Sequence, residues 1–270
     1  MMKHYKRALT IAGSDPSGGA GIQADLKTFS ACGCYGMTVI TAVVDENTIG
    51  VTDVHPIPVP FVAGQITSVL DDVGADAIKI GMLHSSELIR SVKDTLLKYD
   101  IKNIVLDPVM VATSGDKLLQ DEAIETLKNE LIPYVRIITP NIPEAEILLG
   151  AKITRQADLP MVIKDLSCDR KVSVLLKAGH LSEEDLTDVF YNAETDEILG
   201  FKSKRIHTKN THGTGCTFSS AIAAFLAHSL PLNEAVARAK EYMEKSIAAG
   251  ATYEIGKGHG PVHHFFNFWG

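Results

Sequence analysis

The chain has 270 residues, of which 45% are hydrophobic, and its formal net charge at pH 7 is -7. An acidic balance with no basic run disfavours a dedicated nucleic-acid surface. The apolar runs are too short to cross a bilayer, and the N-terminus lacks the apolar core and cleavage site of a signal peptide. We therefore expect a cytoplasmic protein with a full hydrophobic core.

Cysteine usage indicates a reducing compartment, and the organisation of the chain indicates one domain. The cysteines are Cys32, Cys34, Cys168 and Cys216. Their spacing fits neither a zinc site nor a disulfide framework, and such usage is typical of a reducing compartment. No repeat and no proline- or serine-rich linker divides the chain, so we expect residues 1–270 to form a single domain.

Apolar strand-like runs alternate with helical patterns along most of the chain. The predicted strands are Ala8–Gly13, Thr38–Val44, Ala77–Gly81, Asn103–Asp107, Ile137–Thr139 and Val172–Lys177. Helices are predicted from near Ile22 and over Pro60–Val73, Ser86–Tyr99, Asp121–Leu131, Pro143–Leu149, Thr214–His228 and Asn233–Ala249. Asp188–His207 breaks the rhythm and is predicted to form a strand pair around the turn Asn192–Asp196. Uninterrupted apolar strands separated by helices predict an α/β fold with a central, mostly parallel sheet flanked by helices on both faces.

Polar residues follow directly after many of these strands. They are Gly13-Ser14-Asp15, Asp45-Glu46-Asn47, Gly81-Met82, Asp107, Asn141–Glu144 and Lys177–His180. In open parallel sheets, ligands bind in the crevice beyond the carboxyl ends of the strands. We therefore expect these residues to meet at one edge of the sheet and to form the functional site.

The segment Lys209–Ala221 carries the clearest single motif. Gly213 and Gly215 stand directly before an apolar, alanine-rich helix. The first N–H groups of a helix lack intrahelical partners, and glycines let these amides approach a phosphate closely. An ordinary loop-to-helix junction has a similar composition, so the spacing alone leaves both interpretations open. The chain has neither a P-loop motif nor a G-x-G-x-x-G motif after a strand.

Phosphoryl transfer requires an anion cradle, a divalent cation, a positive charge and a positioned acceptor hydroxyl. Lys177, at the end of a predicted strand, can supply the positive charge. Asp107 and Glu144 are candidate magnesium partners, because Mg²⁺ keeps several waters and uses few protein carboxylates. Each of these residues also fits a purely structural role, as a snorkelling lysine, a turn former and a first-turn helix residue.

Cys216 lies on the first turn of the helix after the two glycines. A thiol at a helix N-terminus has a lowered pKa, so we expect a thiolate near neutral pH that accepts the proton of a substrate hydroxyl. A nucleophile of a cysteine hydrolase and a small buried hydrophobic residue are the alternatives. No orienting histidine is recognisable, and the closeness of His212 in sequence does not establish a hydrogen bond.

Two further segments invite a functional interpretation. The glycine-rich residues 13–21 follow the first strand, and we expect them to form a floor or lid for a compact substrate rather than a second phosphate site. His259, His263 and His264 lie close together near the C-terminus. No spaced carboxylate or cysteine completes a ligand set there, so we expect a packed tail rather than a metal site.

Several blocks in fixed order resemble a known family. They are ALTIAGSDPSGGAGIQADLKTF, IKIGML, VLDPVM, TPNIPEAE, KAGH and KNTHGTGCTFSSA. Together they resemble the hydroxymethylpyrimidine/phosphomethylpyrimidine kinases of thiamine biosynthesis, which belong to the ribokinase-like superfamily. The resemblance runs from Ala8 to the GPVHHF tail. It implies a ribokinase-like fold, ATP at the glycine turn, Mg²⁺ as cofactor, a homodimer, and phosphorylation of the pyrimidine hydroxymethyl group and then of the resulting monophosphate.

The resemblance also implies a role for individual residues. Near the pyrimidine it places Glu46, which would meet the amino group, together with Gly13, Asp25, Met82 and Val109. For the nucleotide phosphates it implies Asn141, Gly213, Thr214 and Gly215, with Asp107 and Glu144 serving magnesium. Lys177 would meet the transferring phosphate, and Cys216 occupies the place where many relatives carry an aspartate base.

Three alternatives stay open on the sequence. The nearest is a pyridoxine/pyridoxal kinase, alone or as a second activity, since the same superfamily phosphorylates that hydroxymethylated ring. A non-catalytic protein that senses a pyrimidine would use the same fold, but it would be expected to lack Lys177, the pair Asp107 and Glu144, or the glycine turn. A cysteine hydrolase would show thiol alkylation with burst kinetics and no requirement for ATP.

Overall fold

We describe a computed structural model, which covers residues 3–110, 119 and 121–269. The strands are β1 (Arg7–Ala12), β2 (Tyr35–Ile40), β3 (Ala42–Glu46), β4 (Val51–Pro56), β5 (Ala77–Ile80), β6 (Ile104–Leu106), β7 (Ile137–Ile138), β8 (Ser173–Leu176), β9 (Asp185–Asn192) and β10 (Glu197–Lys204). The helices are α1 (Gly21–Ala31), α2 (Val59–Asp72), α3 (Ser86–Leu96), α4 (Asp121–Thr126), α5 (Ile142–Leu149), α6 (Leu159–Val162), α7 (Thr214–Ala227) and α8 (Leu232–Gly250). The predicted helix Asp121–Leu131 is thus α4 followed by a π-helical turn over Leu127–Leu131.

The main sheet has eight strands in the order β10-β9-β8-β7-β6-β5-β1-β2. The six strands from β8 to β2 are parallel to one another, and β9 and β10 add an antiparallel pair at the β8 edge. The chain places β2 on one side of β1 and β5 on the other, so the strand order reverses at β1. Such a reversal opens a crevice at the carboxyl ends of the strands. The predicted fold class is confirmed.

The two faces of the sheet bury separate sets of helices. On β6, Val105 packs with residues of α1, α7 and α8, whereas Leu106 packs on the opposite face with residues of α2, α3 and α5. Both side chains are fully buried. Burying a side chain of this size contributes about 1.5–3 kcal/mol. A central strand with both faces covered therefore appears in the sequence as a continuous apolar run.

The predicted strand Thr38–Val44 is wrong as a single element. The chain leaves the main sheet at Thr41, which is fully buried. The Thr41 amide donates to the carbonyl of Ala12 at 2.9 Å, and its hydroxyl donates to the carbonyl of Met82 at 3.0 Å. Beyond this point β3 pairs antiparallel with β4 in a separate two-stranded sheet, the β3–β4 hairpin. The sequence did not predict β4, because its side chains are mostly exposed and lack an apolar pattern.

The strand pair predicted within Asp188–His207 is confirmed, as β9 and β10 pair antiparallel. All four cysteines have free thiols in the structure. Among the described helices, none is both long and apolar enough to cross a membrane.

Candidate active site

A cavity of about 690 Å³ lies along the carboxyl ends of the parallel strands, between the β3–β4 hairpin and α8. Clefts of this size are typical of sites for small ligands. The cavity brings together all the predicted site residues except Asp25. They are Gly13, Glu46, Met82, Asp107, Val109, Asn141, Glu144, Lys177, Gly213, Thr214, Gly215 and Cys216. The edge of the sheet was therefore predicted correctly, and the roles of the individual residues remain predictions.

The glycine turn before α7 is fixed by close contacts between backbones. Gly213 is the N-cap residue of α7 and has φ of 77°, in the left-handed region. A Cβ at Gly213 would lie 1.7 Å from the carbonyl oxygen of Gly19, and one at Gly215 would lie 3.3 Å from Oδ2 of Asp107. Only glycine fits at position 213, and at position 215 a larger residue would crowd the Asp107 carboxylate. The free amides of the α7 N-terminus therefore lie directly beside the charged residues of the cavity.

Asp107 and Lys177 form a buried ion pair beside this turn. Asp107 follows β6, and its Oδ1 accepts hydrogen bonds from the Thr139 hydroxyl at 3.0 Å and from Nζ of Lys177 at 3.2 Å. Burial lowers the pKa of Lys177, but the carboxylates of Asp107 and Glu144 outweigh it and leave this pKa above its ordinary value. Lys177 is therefore a permanent cation at the floor of the cavity.

Glu144 is held by the start of α5. The side chain of Asn141 accepts from the Glu144 amide at 2.9 Å, and Oε2 of Glu144 accepts from the Asn141 amide at 2.8 Å. This reciprocal pair is a capping box, which satisfies two amides at the helix N-terminus. Burial raises the pKa of Glu144 to about 7, and Asp107 adds to this rise while Lys177 opposes it. Two carboxylates and one lysine therefore share a small, poorly solvated space.

The expected lowering of the Cys216 pKa is wrong. Burial raises the pKa of the Cys216 thiol to about 12, and the carboxylates of Asp25 and Asp107 add to the rise. The cation of Lys79 and a hydrogen bond from the Gly21 amide oppose it without reversing it. Loss of solvation thus outweighs the helix terminus, which alone would favour the thiolate. Cys216 borders the cavity as a protonated thiol at neutral pH.

Asp25, predicted to lie near the substrate pocket, does not itself line the cavity but contacts Lys79, which does. Its carboxylate lies fully buried beneath the floor, 2.8 Å from Nζ of Lys79. The hydroxyls of Thr10 and Ser220 also donate to this carboxylate, at 2.6 and 2.7 Å. With these partners Asp25 ties α1 to β1, β5 and α7, so its position is that of a supporting residue.

Lys79 was missed by the sequence analysis, although it borders the cavity. It lies in the middle of β5 and is fully buried. A fully buried lysine must be paired, because an isolated ammonium in the interior is far too costly. The signal was present in the sequence, since a lysine interrupts the apolar run of a central strand in AIKIG.

The β3–β4 hairpin forms one wall of the cavity. Glu46 ends β3 and borders the cavity, whereas the side chain of its neighbour Asp45 is exposed and does not. Met82 and Val109 also line the cavity. A Cβ at Gly13 would lie 2.9 Å from Cε of Met82, so this glycine leaves room for the methionine. The glycine-rich residues after β1 therefore form part of the floor, as the sequence predicts.

His212 contacts carboxylates rather than Cys216. Its Nε2 lies 2.8 Å from Oδ2 of Asp15 and 3.9 Å from Oε1 of Glu46. Burial raises the pKa of Glu46, and Asp15 adds to the rise while His212 opposes it. The sequence analysis left the partner of His212 open, because that partner is almost two hundred residues away along the chain.

The C-terminal tail is packed as predicted for two of its histidines, whereas the third, His259, is exposed. His263 and His264 are buried, and Nε2 of His264 lies 3.0 Å from the Thr217 hydroxyl in α7. The Tyr242 hydroxyl of α8 donates to the carbonyl of His264 at 2.6 Å. The tail therefore packs behind the helix whose first turn borders the cavity.

Comparisons with known proteins identify the family. The sequence matches the phosphomethylpyrimidine kinase family over residues 15–263. A hydroxymethylpyrimidine/phosphomethylpyrimidine kinase of Salmonella typhimurium is 47% identical over 266 residues, which are 97% of this chain and 98% of that protein. Among solved structures, phosphomethylpyrimidine kinase of Clostridium difficile is 44% identical, with a TM-score of 0.79 over 89% of this chain and 99% of that one. An ADP complex of Bacillus subtilis pyridoxal kinase is 38% identical, with a TM-score of 0.87 over 97% of this chain and 98% of that one.

These matches span nearly the full length of both partners and agree with the blocks that the sequence analysis singled out. The matched proteins are kinases, and the solved ones share the ribokinase-like fold of this chain, with its mostly parallel central sheet. The resemblance stated from the sequence is therefore confirmed, and this chain belongs to the phosphomethylpyrimidine kinase family.

Proposed function

We propose that this chain transfers the γ-phosphoryl group of ATP to the hydroxymethyl group of 4-amino-5-hydroxymethyl-2-methylpyrimidine. It then phosphorylates the resulting monophosphate to the diphosphate, in thiamine biosynthesis. Family membership supports this activity. The observation that carries it is that one cavity is lined both by the glycine turn and Lys177, which we call the phosphate end, and by Glu46 of the β3–β4 hairpin, which we call the pyrimidine end.

At the phosphate end, this chain supplies amides and one cation. The free amides of the α7 N-terminus donate to phosphate oxygens, and the helix dipole favours negative charge at this position. Lys177 compensates the charge that spreads over the transferring group. Because Lys177 is held by Asp107 before any ligand binds, little reorganisation is needed during the reaction.

Asp107 and Glu144 are our candidates to hold Mg²⁺, directly or through water. Oxygen donors of this kind suit magnesium, and two buried carboxylates beside one lysine leave negative charge that a further cation would balance. When bound, the ion neutralises charge on the nucleotide phosphates. Asn141 fixes the orientation of Glu144 through the capping box.

At the pyrimidine end, Glu46 accepts a hydrogen bond from the amino group of the ring. A bond to a charged acceptor is stronger than one between neutral groups. Met82 and Val109 cover the apolar faces of the ring, and methionine adapts to an irregular gap. A site of this kind rejects analogues without the amino group, because they leave a partly buried carboxylate unpaired.

Cys216 is the candidate proton acceptor for the substrate hydroxyl. Its thiol is protonated at neutral pH in the free protein, since burial raises its pKa to about 12. Cys216 can accept this proton only as the thiolate, so we propose that in the thiol form the hydroxyl proton passes to an oxygen of the transferring phosphoryl group, late in the reaction, after the bond from phosphorus to the leaving oxygen has largely broken. A loose transition state of this kind needs little help from a base.

A second candidate activity is phosphorylation of pyridoxal. It is favoured by the likeness to solved pyridoxal kinases, one of them from Bacillus subtilis at 38% identity. Pyridoxal carries a hydroxymethyl group on a ring of similar size but lacks the amino group that Glu46 would bind. We expect it to be a poorer substrate than the pyrimidine.

The experiment is direct. The purified protein is incubated with Mg-ATP and the hydroxymethylpyrimidine, and in parallel with pyridoxal, and the products are resolved by mass. Pyrimidine monophosphate followed by diphosphate supports the two-step kinase. Pyridoxal phosphate alone would keep the chemistry and replace the substrate. No phosphorylated product from either compound would favour a binding protein.

We also propose that residues 1–270 act as one ribokinase-like domain, that two copies form a homodimer, and that the protein works in the cytoplasm. The dimer rests on the family resemblance. The four free cysteines are in keeping with a reducing compartment. Light scattering coupled to size-exclusion chromatography would measure the mass, and a monomer would exclude the dimer.

A further inference from the structure

We propose that His212 is a positioning residue for pyrimidine recognition, in which Asp15 holds the imidazole and the imidazole fixes the position and charge of Glu46. This inference rests on the proposed function, since it assigns Glu46 to the pyrimidine. His212 directly precedes the glycine turn and borders the cavity, and in this proposal it acts through Glu46.

The first observation is that Asp15 is a permanently charged anchor. Its Oδ1 accepts from the Ser17 amide at 2.8 Å, and its Oδ2 accepts from the amides of Gly19 and Ala20 at 3.0 and 2.6 Å. The side chain is 1% exposed. A buried carboxylate with three amide donors stays ionised. It therefore requires a cation or further donor nearby, and Nε2 of His212 lies 2.8 Å away.

The second observation is that the imidazole is held on several sides. The backbone amide of His212 donates to the carbonyl of Gly260 at 3.0 Å, so the residue is attached to the C-terminal tail. A Cβ at Gly19 would lie 2.4 Å from Cδ2 of the ring, so the loop after β1 packs directly against it. The side chain of His212 is 7% exposed. The ring therefore cannot reorient without moving one of these segments.

The third observation concerns Glu46. Its Oε1 lies 3.9 Å from Nε2 of His212, and Asp15 is the second charged group that faces it. Among the described residues, His212 is the one cationic group within 4.0 Å of this carboxylate. Without the imidazole, two carboxylates would face each other, which disfavours ionisation of the less well bonded one. A protonated Glu46 would lose an acceptor for the amino group of the ring.

Electrostatics agree with this geometry. The pKa of His212 is raised, because the hydrogen bond and charge of Asp15 and the charge of Glu46 outweigh the effect of burial. The imidazole of His212 therefore stays protonated to a higher pH than that of an exposed histidine.

A metal site is the competing interpretation of the same three side chains. One donor atom from each of Asp15, Glu46 and His212 lies within 4.8 Å of the others. However, Oδ2 of Asp15 already accepts from two backbone amides and contacts the imidazole. A divalent ion would have to displace these partners and the imidazole proton. The ion-pair interpretation leaves no such conflict.

The test compares wild type, His212→Gln, Glu46→Gln and the double variant. Pyrimidine kcat/KM is measured at saturating Mg-ATP from about pH 5.5 to about pH 8.5, a range that covers protonation of a perturbed carboxylate and of imidazole. The KM for ATP and the melting temperature are measured for each protein. Any titration of the pyrimidine itself is common to all four proteins, so differences between the profiles report on the protein.

We expect His212→Gln to raise the pyrimidine KM roughly tenfold at neutral pH, the usual effect of weakening one charged hydrogen bond. The acid limb of kcat/KM should move upward by roughly one pH unit, since a nearby positive charge is lost. The KM for ATP should change less than twofold. In the Glu46→Gln background the acid limb should be absent, and the additional His212→Gln change should have little further effect.

Additive losses in the double variant, or equal effects on both KM values, would overturn the inference. Should His212→Gln fail to fold, Glu46→Gln alone still tests it, because an unchanged acid limb would show that Glu46 does not titrate there. If wild type does not phosphorylate the pyrimidine at all, the proposed function fails instead. A requirement for added Zn²⁺ or Mn²⁺ that disappears in His212→Gln would favour the metal site and overturn the ion pair.

Discussion

The two ends of the cavity are held in different ways. The phosphate end consists of Asp107, Glu144, Lys177 and the glycine turn before α7. Asp107, Glu144 and Lys177 follow β6, β7 and β8, which are central parallel strands of the main sheet. The pyrimidine end consists of Glu46 on the β3–β4 hairpin, outside that sheet. The Glu46 carboxylate lies 3.9 Å from the imidazole of His212, which directly precedes the glycine turn.

In the proposed function, this difference separates the residues for phosphoryl transfer from those for recognition of the ring. At the phosphate end, each charged group is fixed by bonds to neighbouring strands and helices, so its geometry is part of the core. At the pyrimidine end, the hairpin can change in sequence without disturbing any strand of the main sheet. The structural likeness to pyridoxal kinases agrees with this division, since those proteins share the sheet and act on a different ring.

The largest effect is expected at Lys177. Lys177→Met removes the cation and keeps an apolar stem, and we expect kcat to fall by roughly 10²- to 10³-fold, as when one stabilising donor is removed from an active site. The pyrimidine KM should change little, because the proposed contacts with the ring are made by Glu46, Met82 and Val109 and not by Lys177. Steady-state kinetics with each substrate varied in turn would measure both.

Lys164→Met is the matched control for this change. Lys164 forms a comparable ion pair, 2.8 Å from Asp196, but on the surface and away from the cavity. We expect wild-type kinetics from it, since a surface pair contributes about 1 kcal/mol or less to stability. A kcat for Lys177→Met within tenfold of wild type would break the division between the two ends.

The second effect is expected at Glu46. Glu46→Ala should raise the pyrimidine KM by roughly 10- to 100-fold, because a hydrogen bond to a charged group contributes about 1.5–3 kcal/mol. The ATP KM should stay within about twofold. The control is Asp45→Ala, which removes the neighbouring carboxylate, whose side chain is exposed and does not border the cavity. Equal losses for the two variants would mean that only the net charge of the hairpin matters.

The third effect concerns the free energy of unfolding, through His264 in the C-terminal tail behind α7. Burial lowers the pKa of His264 to about 3, with Lys27 and His263 adding to the decrease. An unfolded histidine has a pKa of about 6.5, so below that pH the unfolded chain takes up a proton that the folded chain does not. The free energy of unfolding should therefore fall as the pH drops from about 6.5 toward 3, by roughly 1.4 kcal/mol per pH unit from this group.

Urea unfolding at a series of pH values measures this slope. His264→Gln cannot titrate, so its unfolding free energy should fall less steeply below about pH 6.5 than that of wild type. His4→Gln is the control, because His4 is exposed and should leave the slope unchanged. Parallel curves for wild type and His264→Gln would show that His264 is not buried as a neutral ring.

The sequence predicted the phosphate end better than the pyrimidine end, and the reason is physical. Buried parallel strands are continuous apolar runs, so the polar residues that follow them, such as Asp107 and Lys177, can be placed at one edge from sequence alone. The hairpin carries no such pattern, because β4 is largely exposed. Glu46 was expected at the same edge because it follows a predicted strand, but its contact with the pyrimidine was suggested only by the family resemblance.

Properties that depend on distant residues were not predictable. The expected thiolate at Cys216 was wrong, because its position on a helix terminus is visible in the sequence and its loss of solvation is not. The contact of His212 with Asp15 joins residues that are 197 positions apart along the chain. The position of Asp25 beneath the floor likewise depends on Lys79, which the sequence analysis did not assign.

The smallest effect is expected at Thr48, in the loop of the β3–β4 hairpin. The C-terminal tail holds this loop: the Thr48 hydroxyl accepts from the amides of Lys257 and Gly258 at 3.2 and 3.1 Å, and the Thr48 carbonyl accepts from the His259 amide at 2.7 Å. A Cβ at Gly258 would lie 1.9 Å from the Thr48 carbonyl oxygen. The tail and the loop are therefore in direct backbone contact, two residues from Glu46.

Thr48→Val keeps the shape of the side chain and removes the acceptor, whereas Thr48→Ser keeps the acceptor. We expect Thr48→Val to raise the pyrimidine KM by roughly twofold to fivefold, since an ordinary hydrogen bond contributes about 1 kcal/mol. Thr48→Ser should behave as wild type, and kcat should be unchanged in both. A fall in kcat for Thr48→Val would mean that the hairpin also positions the acceptor hydroxyl for transfer, so the two ends of the cavity would be coupled through the tail that packs behind α7.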